Sequence, residues 1–203
     1  MLTGPWDAFG SREWEAGAVH PQSRASMLAA RAVDPRPGER ILDLCAAPGG
    51  KATHLAALMG GRGEVMAVER HPGRAQALRR TAERLHADIV HVVLGDAADF
   101  ASDEPFDRVL VDPPCSGLGT LQSRPDLRWR ASPEQIAELA GLQERILAAG
   151  ERALRPGGTL VYSVCTLSAA EVPHRPWTWS RRLLPHRDGT EGFVIARLGD
   201  VAA

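Results

Sequence analysis

The chain has 203 residues, 44% hydrophobic and 24% charged, which is the length and balance of one globular domain with a sizeable core. Its formal net charge of −1 excludes a global electrostatic signature of nucleic-acid binding, so any such contact must come from a local patch. No apolar run reaches membrane-spanning length, and three cysteines without a CxxC pair argue against a disulfide framework or a zinc site. The N-terminus does not read as a signal peptide, so a reducing cytoplasm is the expected compartment, with neither membrane nor metal involved.

Residues 1–21 hold Trp6 and Trp14 with little periodicity and read as an N-terminal lead-in segment, ahead of one domain over residues 22–203. Residues 22–33 are Ala-rich and helical, ending before the firm breaker Asp34-Pro35-Arg36-Pro37-Gly38. Residues 41–45, Ile-Leu-Asp-Leu-Cys, form a short apolar run bounded by turn signals, as a buried parallel strand should. Ala46, Ala47, Pro48, Gly49 and Gly50 are small or turn-forming, and residues 52–59 then read as a helix. A strand, a tight turn and a helix N-terminus let a ligand approach the backbone and meet unpaired N–H groups, which suits a nucleotide-like cofactor. Lys51, in this turn, is the only lysine among 24 basic residues, which points to a need for a compact ammonium there.

A second strand over residues 64–69 ends in Glu69, 20 residues past Gly49. That spacing matches the acidic residue that holds ribose hydroxyls in Rossmann-like folds, while the absence of GxGxxG disfavours a nicotinamide cofactor. Residues 73–86 form an Arg-rich amphipathic helix, and residues 88–95 a third strand with Asp96 at its end. A fourth strand, 107–112, runs into Pro113-Pro114-Cys115-Ser116-Gly117. A long loop leads to a helix over 133–154, capped by Ser132 with Pro133 in first position. Arg155-Pro156-Gly157-Gly158 is expected to break that helix before a fifth strand, 159–164, which ends at Cys165. A last strand covers residues 193–198, reached through an Arg- and Trp-containing stretch without clear pattern.

This alternation gives an open, mostly parallel, doubly wound α/β sheet. Ligands in such sheets sit at the carboxyl ends of the strands. Cys45, Glu69, Asp96, Asp112, Cys115 and Cys165 all fall at or just past strand ends, so one rim gathers the three cysteines and these acids. Cys45, nearest the buried strand, reads as a small packing residue beside the cofactor. Cys115 and Cys165 lie in turns where a thiol can face a cleft, and beside Asp112 they can supply a nucleophile and a second proton-handling group.

In order and spacing, LDLCAAPGGK, Glu69, Asp96, DPPCSG and YSVCTL resemble the Nol/Nop/Sun (Fmu/RsmB-type) RNA cytosine-5 methyltransferase family. The resemblance spans residues 22–167, with a weaker echo in PHRDGTEGFVIARL. It implies a Rossmann-like methyltransferase fold with S-adenosylmethionine as the methyl donor. Cys45, Ala46, Ala47, Pro48, Gly49, Gly50 and Lys51 would wrap the methionine part, and Glu69 would hold the ribose hydroxyls. Asp96 would lie by the adenine, and Asp112 near the donor's amino group or the target base. The resemblance also implies that Cys165, in the later motif, is the nucleophile, while Cys115 assists product release.

Such residues suit the chemistry. Attack of a Cys165 thiolate on C6 turns the weakly nucleophilic C5 of cytosine into a carbon that can take the methyl group. Asp112 would hydrogen-bond the N3 edge, Lys51 would add positive potential, and a base of unassigned identity would remove the C5 proton. Arg124, Arg128, Trp129 and Arg130 lie in a Pro-Asp-Leu-Arg-Trp stretch that the family's pattern shares, and are the candidates for holding RNA phosphates and stacking a base. Arg175, Arg181 and Arg182 with Trp177 and Trp179 make a second, weaker RNA-binding candidate, for which packed tryptophans and a solvated charged face are the favoured reading. Ribosomal RNA is the favoured substrate and tRNA the alternative, with a separate RNA-presenting partner or precursor particle allowed for.

The chain departs from the family pattern in three places. About 20 residues stand where the family carries an N-terminal RNA-binding domain or a longer extension, and Val164 stands in place of the usual Thr. After Leu167, Ser168-Ala169-Ala170-Glu171-Val172 runs straight into Pro173, which predicts one helix shortened or missing and puts a strand in question. These departures favour a second reading, a truncated RNA-binding module with a methyltransferase fold and little or no activity. Cys115, Cys165 and Lys51 oppose it. A third reading, methylation of another atom such as an adenine amino group, is opposed by Cys115, because such enzymes place an aromatic after Asp-Pro-Pro.

Overall fold

The computed structural model describes residues 6–199, so the first five residues of the lead-in segment and residues 200–203 lie outside the description. Among the described residues, β1 Arg40–Leu44, β2 Glu64–Glu69, β3 Val90–Leu94, β4 Phe106–Val111, β5 Leu154–Val164, β6 Trp179–Leu183 and β7 Phe193–Leu198 form one sheet. Its order is β3-β2-β1-β4-β5-β7-β6, with β1 to β5 parallel and β7 antiparallel to both of its neighbours. The α-helices are α1 Arg12–Glu15, α2 Arg24–Val33, α3 Gly50–Leu58, α4 Pro72–Arg84, α5 Pro133–Ala153 and α6 Pro185–Asp188. No described helix is long and apolar enough to cross a membrane.

The strands read as near-continuous apolar runs because helices cover both faces. Ile41, Ala67, Leu110 and Val161 pack with Ala29 of α2, Leu55 of α3 and Leu78 of α4. Leu42, Leu44, Val109, Val111 and Leu160 face the other way, onto Ile146 and Leu147 of α5. Period two along β1 therefore sends Asp43 to the same face as Ile41, under α2 and α3. Strand order reverses between β1 and β4, so the loops after these two strands diverge and open a crevice at their carboxyl ends.

Three features differ from the sequence expectations. α5 ends at Ala153 ahead of Arg155-Pro156-Gly157-Gly158, as expected, but Leu154 already pairs with Phe106 and Thr159 with Arg108, so the tetrapeptide is a bulge within a β5 that starts five residues early. The strand put in question is present as β6, paired with β7, while no helix occupies residues 172–178. β6 escaped notice because it is a sheet edge: only Leu183 is buried, and Trp179, Ser180, Arg181 and Arg182 are exposed, so no apolar alternation marks it. The lead-in segment forms α1 and packs against α4. The Arg84 guanidinium stacks 3.4 Å from the Trp14 ring and donates to the carbonyls of Trp14 and Val19.

At the amino end of the sheet, Arg108 holds α2 to the strands. Its side chain is 8% exposed and donates to Glu39 at 2.6 and 3.1 Å and to the Val33 carbonyl at 2.7 Å. Removing one partner of a buried pair leaves the other uncompensated. Arg108→Ala is expected to lower stability by about 3 kcal/mol in urea unfolding. A loss below about 1 kcal/mol would mean that this pair behaves as a solvated surface contact.

Candidate active site

The crevice encloses a cavity of about 600 Å³, enough for a nucleoside-sized ligand. Cys45, Ala47 and Lys51 line it from the β1 turn, Glu69 and Asp96 from the ends of β2 and β3, Asp112 and Cys115 from the β4 loop, and Cys165 from β5. Ala46, Pro48 and Gly50 line a smaller adjoining cavity of about 170 Å³, with His20, Gln22, Asp43, Lys51 and Asp112. The turn between them is tightly drawn. Cys45 takes a left-handed φ of 67° and Gly49 a φ of 109°. A Cβ on Gly49 would stand 2.6 Å from Leu78 Cδ1, so only glycine lets α4 pack here. No side chain caps α3, which leaves its opening N–H groups for a ligand or solvent.

Charge in the site centres on Lys51. Its ammonium donates to Asp112 Oδ2 at 2.7 Å, and Ser163 Oγ donates to Asp112 Oδ1 at 2.8 Å. Burial works against the ammonium, but the charge and hydrogen bond of Asp112, helped by Asp43, raise its pKa and keep it cationic. Asp43 is fully buried, and neither of its carboxylate oxygens has a hydrogen-bond partner. Burial first, then the negative charge of Asp112, pushes its pKa well up, and Lys51 offsets this in part. Two carboxylates thus share one ammonium, and the unpartnered one is costly to leave dry.

The two later cysteines touch: Cys115 Sγ and Cys165 Sγ are 3.2 Å apart. The hydrogen bond from Cys115 lowers the Cys165 thiol, against burial and the Asp112 charge, and Lys51 acts in the same direction as Cys115. The same hydrogen bond, with burial, pushes Cys115 up. Cys45 is pushed up by burial and by Asp112, Asp43 and Glu69, as an inert packing thiol should be.

Glu69 is 3% exposed; it accepts the His71 N–H at 2.9 Å and faces Arg74 at 3.4 Å, and Arg74 also donates to the Ala47 carbonyl. Asp96 caps the Ala98 N–H at 2.9 Å, with Arg70 3.6 Å away. The RNA candidates lie outside the cavity wall. Arg128 and Trp129 are on the 3-10 turn Pro125–Trp129, with Arg124 and Arg130 flanking it. Arg124 pairs twice with Asp126 at 3.0 Å, Arg130 lies 3.9 Å from the same carboxylate, and Trp129 is 84% exposed. Of the second stretch, Trp177 packs on Tyr162 and Arg175 pairs with Glu144 and Glu151.

Sequence reasoning missed Asp43, His20 and Gln22 at the small cavity, and the buried Glu171 beneath the cysteine loops. Asp43 carried a readable signal, a carboxylate in the middle of a strand buried on both faces. The other three carried none, since their roles arise from contacts distant in sequence.

Residues 30–176 match the family model described as 16S rRNA methyltransferase RsmB/F. The chain is similar to the ribosomal RNA small subunit methyltransferase B of Vibrio vulnificus, at 38% identity over 97% of this chain and 50% of that protein. It is also similar to the mouse (Mus musculus) tRNA (cytosine(72)-C(5))-methyltransferase NSUN6, at 35% identity over 87% of this chain and 41% of that protein. Among solved structures, NSun6 from Pyrococcus horikoshii, determined with the S-adenosylmethionine analogue SFG, superposes with a TM-score of 0.85 at 31% identity, over 98% of this chain and 57% of that one. The chain spans about half the length of the curated relatives it matches. A family model matched over most of the chain, together with relatives above 30% identity across nearly all of it, shows that the chain belongs to the RsmB/F methyltransferases of the Nol/Nop/Sun family.

Proposed function

We propose that the chain methylates C5 of a cytosine in RNA, with S-adenosylmethionine as donor and Cys165 as the covalent nucleophile. The observation that carries this is the 3.2 Å contact between Cys115 and Cys165 on the wall of a cavity that also holds the Lys51–Asp112 pair. Ribosomal RNA is the favoured substrate, in line with relatives named for the small ribosomal subunit, and the NSUN6 relative keeps tRNA as the alternative.

The residues fit the donor. Both oxygens of Asp112 accept bonds from Lys51 and Ser163, so Asp43, with two orphaned acceptors beside the small cavity, is the carboxylate left for the donor's ammonium. Cys45, Ala46, Ala47, Pro48, Gly49, Gly50 and Lys51 would flank its amino-acid part, Glu69 the ribose hydroxyls and Asp96 the adenine. Bound there, S-adenosylmethionine supplies an electrophilic methyl group.

The chain's own groups do the rest. The Cys165 thiolate adds to C6 of the base, forming an S–C bond and moving charge toward N3. A proton passed from the Lys51 ammonium through Asp112 to N3 neutralises that charge, with N3–H then donating to the Asp112 carboxylate, and it returns by the same route when the S–C bond breaks. Once C5 has lost its proton, the S–C bond breaks and sulfur leaves as thiolate, with the Cys115 S–H hydrogen-bonding to it as it goes. A hydrogen bond to a charged group contributes about 1.5–3 kcal/mol, which is roughly one to two orders of magnitude in the rate of that elimination. Arg124, Arg128, Trp129 and Arg130 would hold the RNA beside the cleft. The exposed Trp129 ring is the stacking platform, a contact worth about 1–3 kcal/mol.

Two outcomes check this reading. On a denaturing gel, after incubation with unmodified ribosomal RNA and S-adenosylmethionine, Cys115→Ala should accumulate a protein–RNA adduct roughly tenfold above the parent chain, and Cys165→Ala none. Cofactor binding with no adduct in any variant would favour an RNA-binding module instead.

The second concerns Asp43. Its folded-state pKa is raised above the unfolded value of about 3.9, so the folded chain retains a proton the unfolded chain releases, and stability falls as pH climbs through that window. Asn does not titrate. Without cofactor, the melting temperature of Asp43→Asn relative to the parent should therefore rise between pH 5 and 8, while calorimetry shows S-adenosylmethionine binding weakened roughly tenfold. A difference flat in pH together with unchanged affinity would contradict the assignment.

A further inference from the structure

Both thiols stand on loops just past the sheet, where strand pairing no longer fixes them. Beneath those loops lies Glu171, fully buried at the end of the 3-10 turn Ala169–Glu171. Its Oε2 accepts from Ser116 Oγ and from Thr166 Oγ1, each at 2.6 Å. Its Oε1 accepts from the Ser116 N–H at 2.7 Å and from Gln143 Nε2 at 3.2 Å. Ser116 directly follows Cys115 and Thr166 directly follows Cys165, and their hydroxyls lie 2.9 Å apart. Around this centre, Tyr162 donates to the Glu171 carbonyl at 2.8 Å, and Gln143 donates also to the Pro114 carbonyl at 2.9 Å.

Four donors from three elements thus converge on a group that offers only acceptors. A buried carboxylate is expensive to keep, and an apolar side chain would fill the same space at lower cost in desolvation. What an apolar residue cannot do is tie the residue after one thiol to the residue after the other. Reactions between positioned groups lose about a hundredfold in rate for a displacement near 1 Å, so a fixed link is of use here.

We infer that Glu171 is a positioning residue for methyl transfer: by holding Ser116 and Thr166 together it sets the contact between Cys115 and Cys165. It acts through these two neighbours. The inference rests on the roles given above to the two thiols.

Two variants of the whole chain test it. Glu171→Leu keeps most of the volume and removes all four acceptor contacts, those to both hydroxyls included. Thr166→Val keeps the shape and cuts the link on the Cys165 side, together with the hydroxyl's contact to Ser116 Oγ and the bond it accepts from the Ser168 N–H. Both should bind S-adenosylmethionine within about twofold of the parent, as sites that share no partner do. Alkylation of Cys165 by iodoacetamide, followed across pH by peptide mass spectrometry, should have its midpoint raised by about half a pH unit or more as the hydrogen bond from Cys115 loosens. In a Cys115→Ala background, adduct should form roughly tenfold more slowly.

A brace with no positioning role would lower the melting temperature and leave the Cys165 alkylation profile and the adduct rate per folded molecule unchanged, and that result would overturn the inference. The two readings fail separately. A Cys115→Ala chain that forms no adduct sinks the covalent mechanism, whereas the alkylation profile needs no RNA and still decides whether Glu171 sets the thiols.

Discussion

The Lys51–Asp112 pair, 2.7 Å across the point where strand order reverses, joins the turn after β1 to the loop after β4. Those are the two segments that diverge to make the crevice, and Asp43, Asp112 and Cys165 all feel this one ammonium. Its side chain is 14% exposed, so its field is little screened by solvent. Asp43 lies on the buried side of the pair, the cysteine loops on the cleft side, and Ser163 holds Asp112 from β5. An arginine could carry the charge but would spread it over a plane of five donors; a compact ammonium fits between two carboxylates. That is a physical reason for a chain so rich in arginine to place its single lysine here.

The Lys51 ammonium faces Asp112, while burial pushes the pKa of Asp43 well up and so favours its neutral form. A cationic donor bound here would favour ionisation of both Asp43 and Cys165 through the same field. In the mechanism proposed, Cys115 gives Cys165 a neutral hydrogen-bond partner 3.2 Å away, which would stabilise a thiolate without a further charge in a dry pocket. Beneath the loops both oxygens of the Glu171 carboxylate are satisfied, by bonds from Ser116, Thr166 and Gln143, and such pairing of a buried group rigidifies its surroundings, although Gln143 Oε1 itself has no partner.

How much of this could be read from sequence depends on the range of the interaction. The parallel strands were legible because burial on both faces makes each a short apolar run between turn signals, and β2 and β7 begin and end where the pattern puts them. The rim of Cys45, Glu69, Asp96, Asp112, Cys115 and Cys165 followed from strand ends alone, because a parallel sheet points them all one way. Asp43 was passed over inside an apolar run, although a lone carboxylate there is a departure from pattern. β6 was invisible, since an edge strand with four exposed residues has no periodic apolar face. Glu171 was not legible as a link between the two thiol loops, because its partners Gln143 and Ser116 lie 28 and 55 residues away, although Thr166 is five residues from it. Trp14 likewise meets α4 through Arg84, across 70 residues.

The central claim is that Cys165 and not Cys115 carries the bond to RNA. The direct measurement uses RNA whose cytosines bear fluorine at C5, where no proton is available for removal after methyl transfer, so a covalent intermediate persists. The adduct formed with S-adenosylmethionine would be digested and the modified peptide identified by mass spectrometry. The expected result is a nucleotide mass on the peptide containing Cys165, with Cys115 unmodified. A nucleotide on Cys115, or a chain that binds donor and RNA but forms no adduct, would contradict the claim.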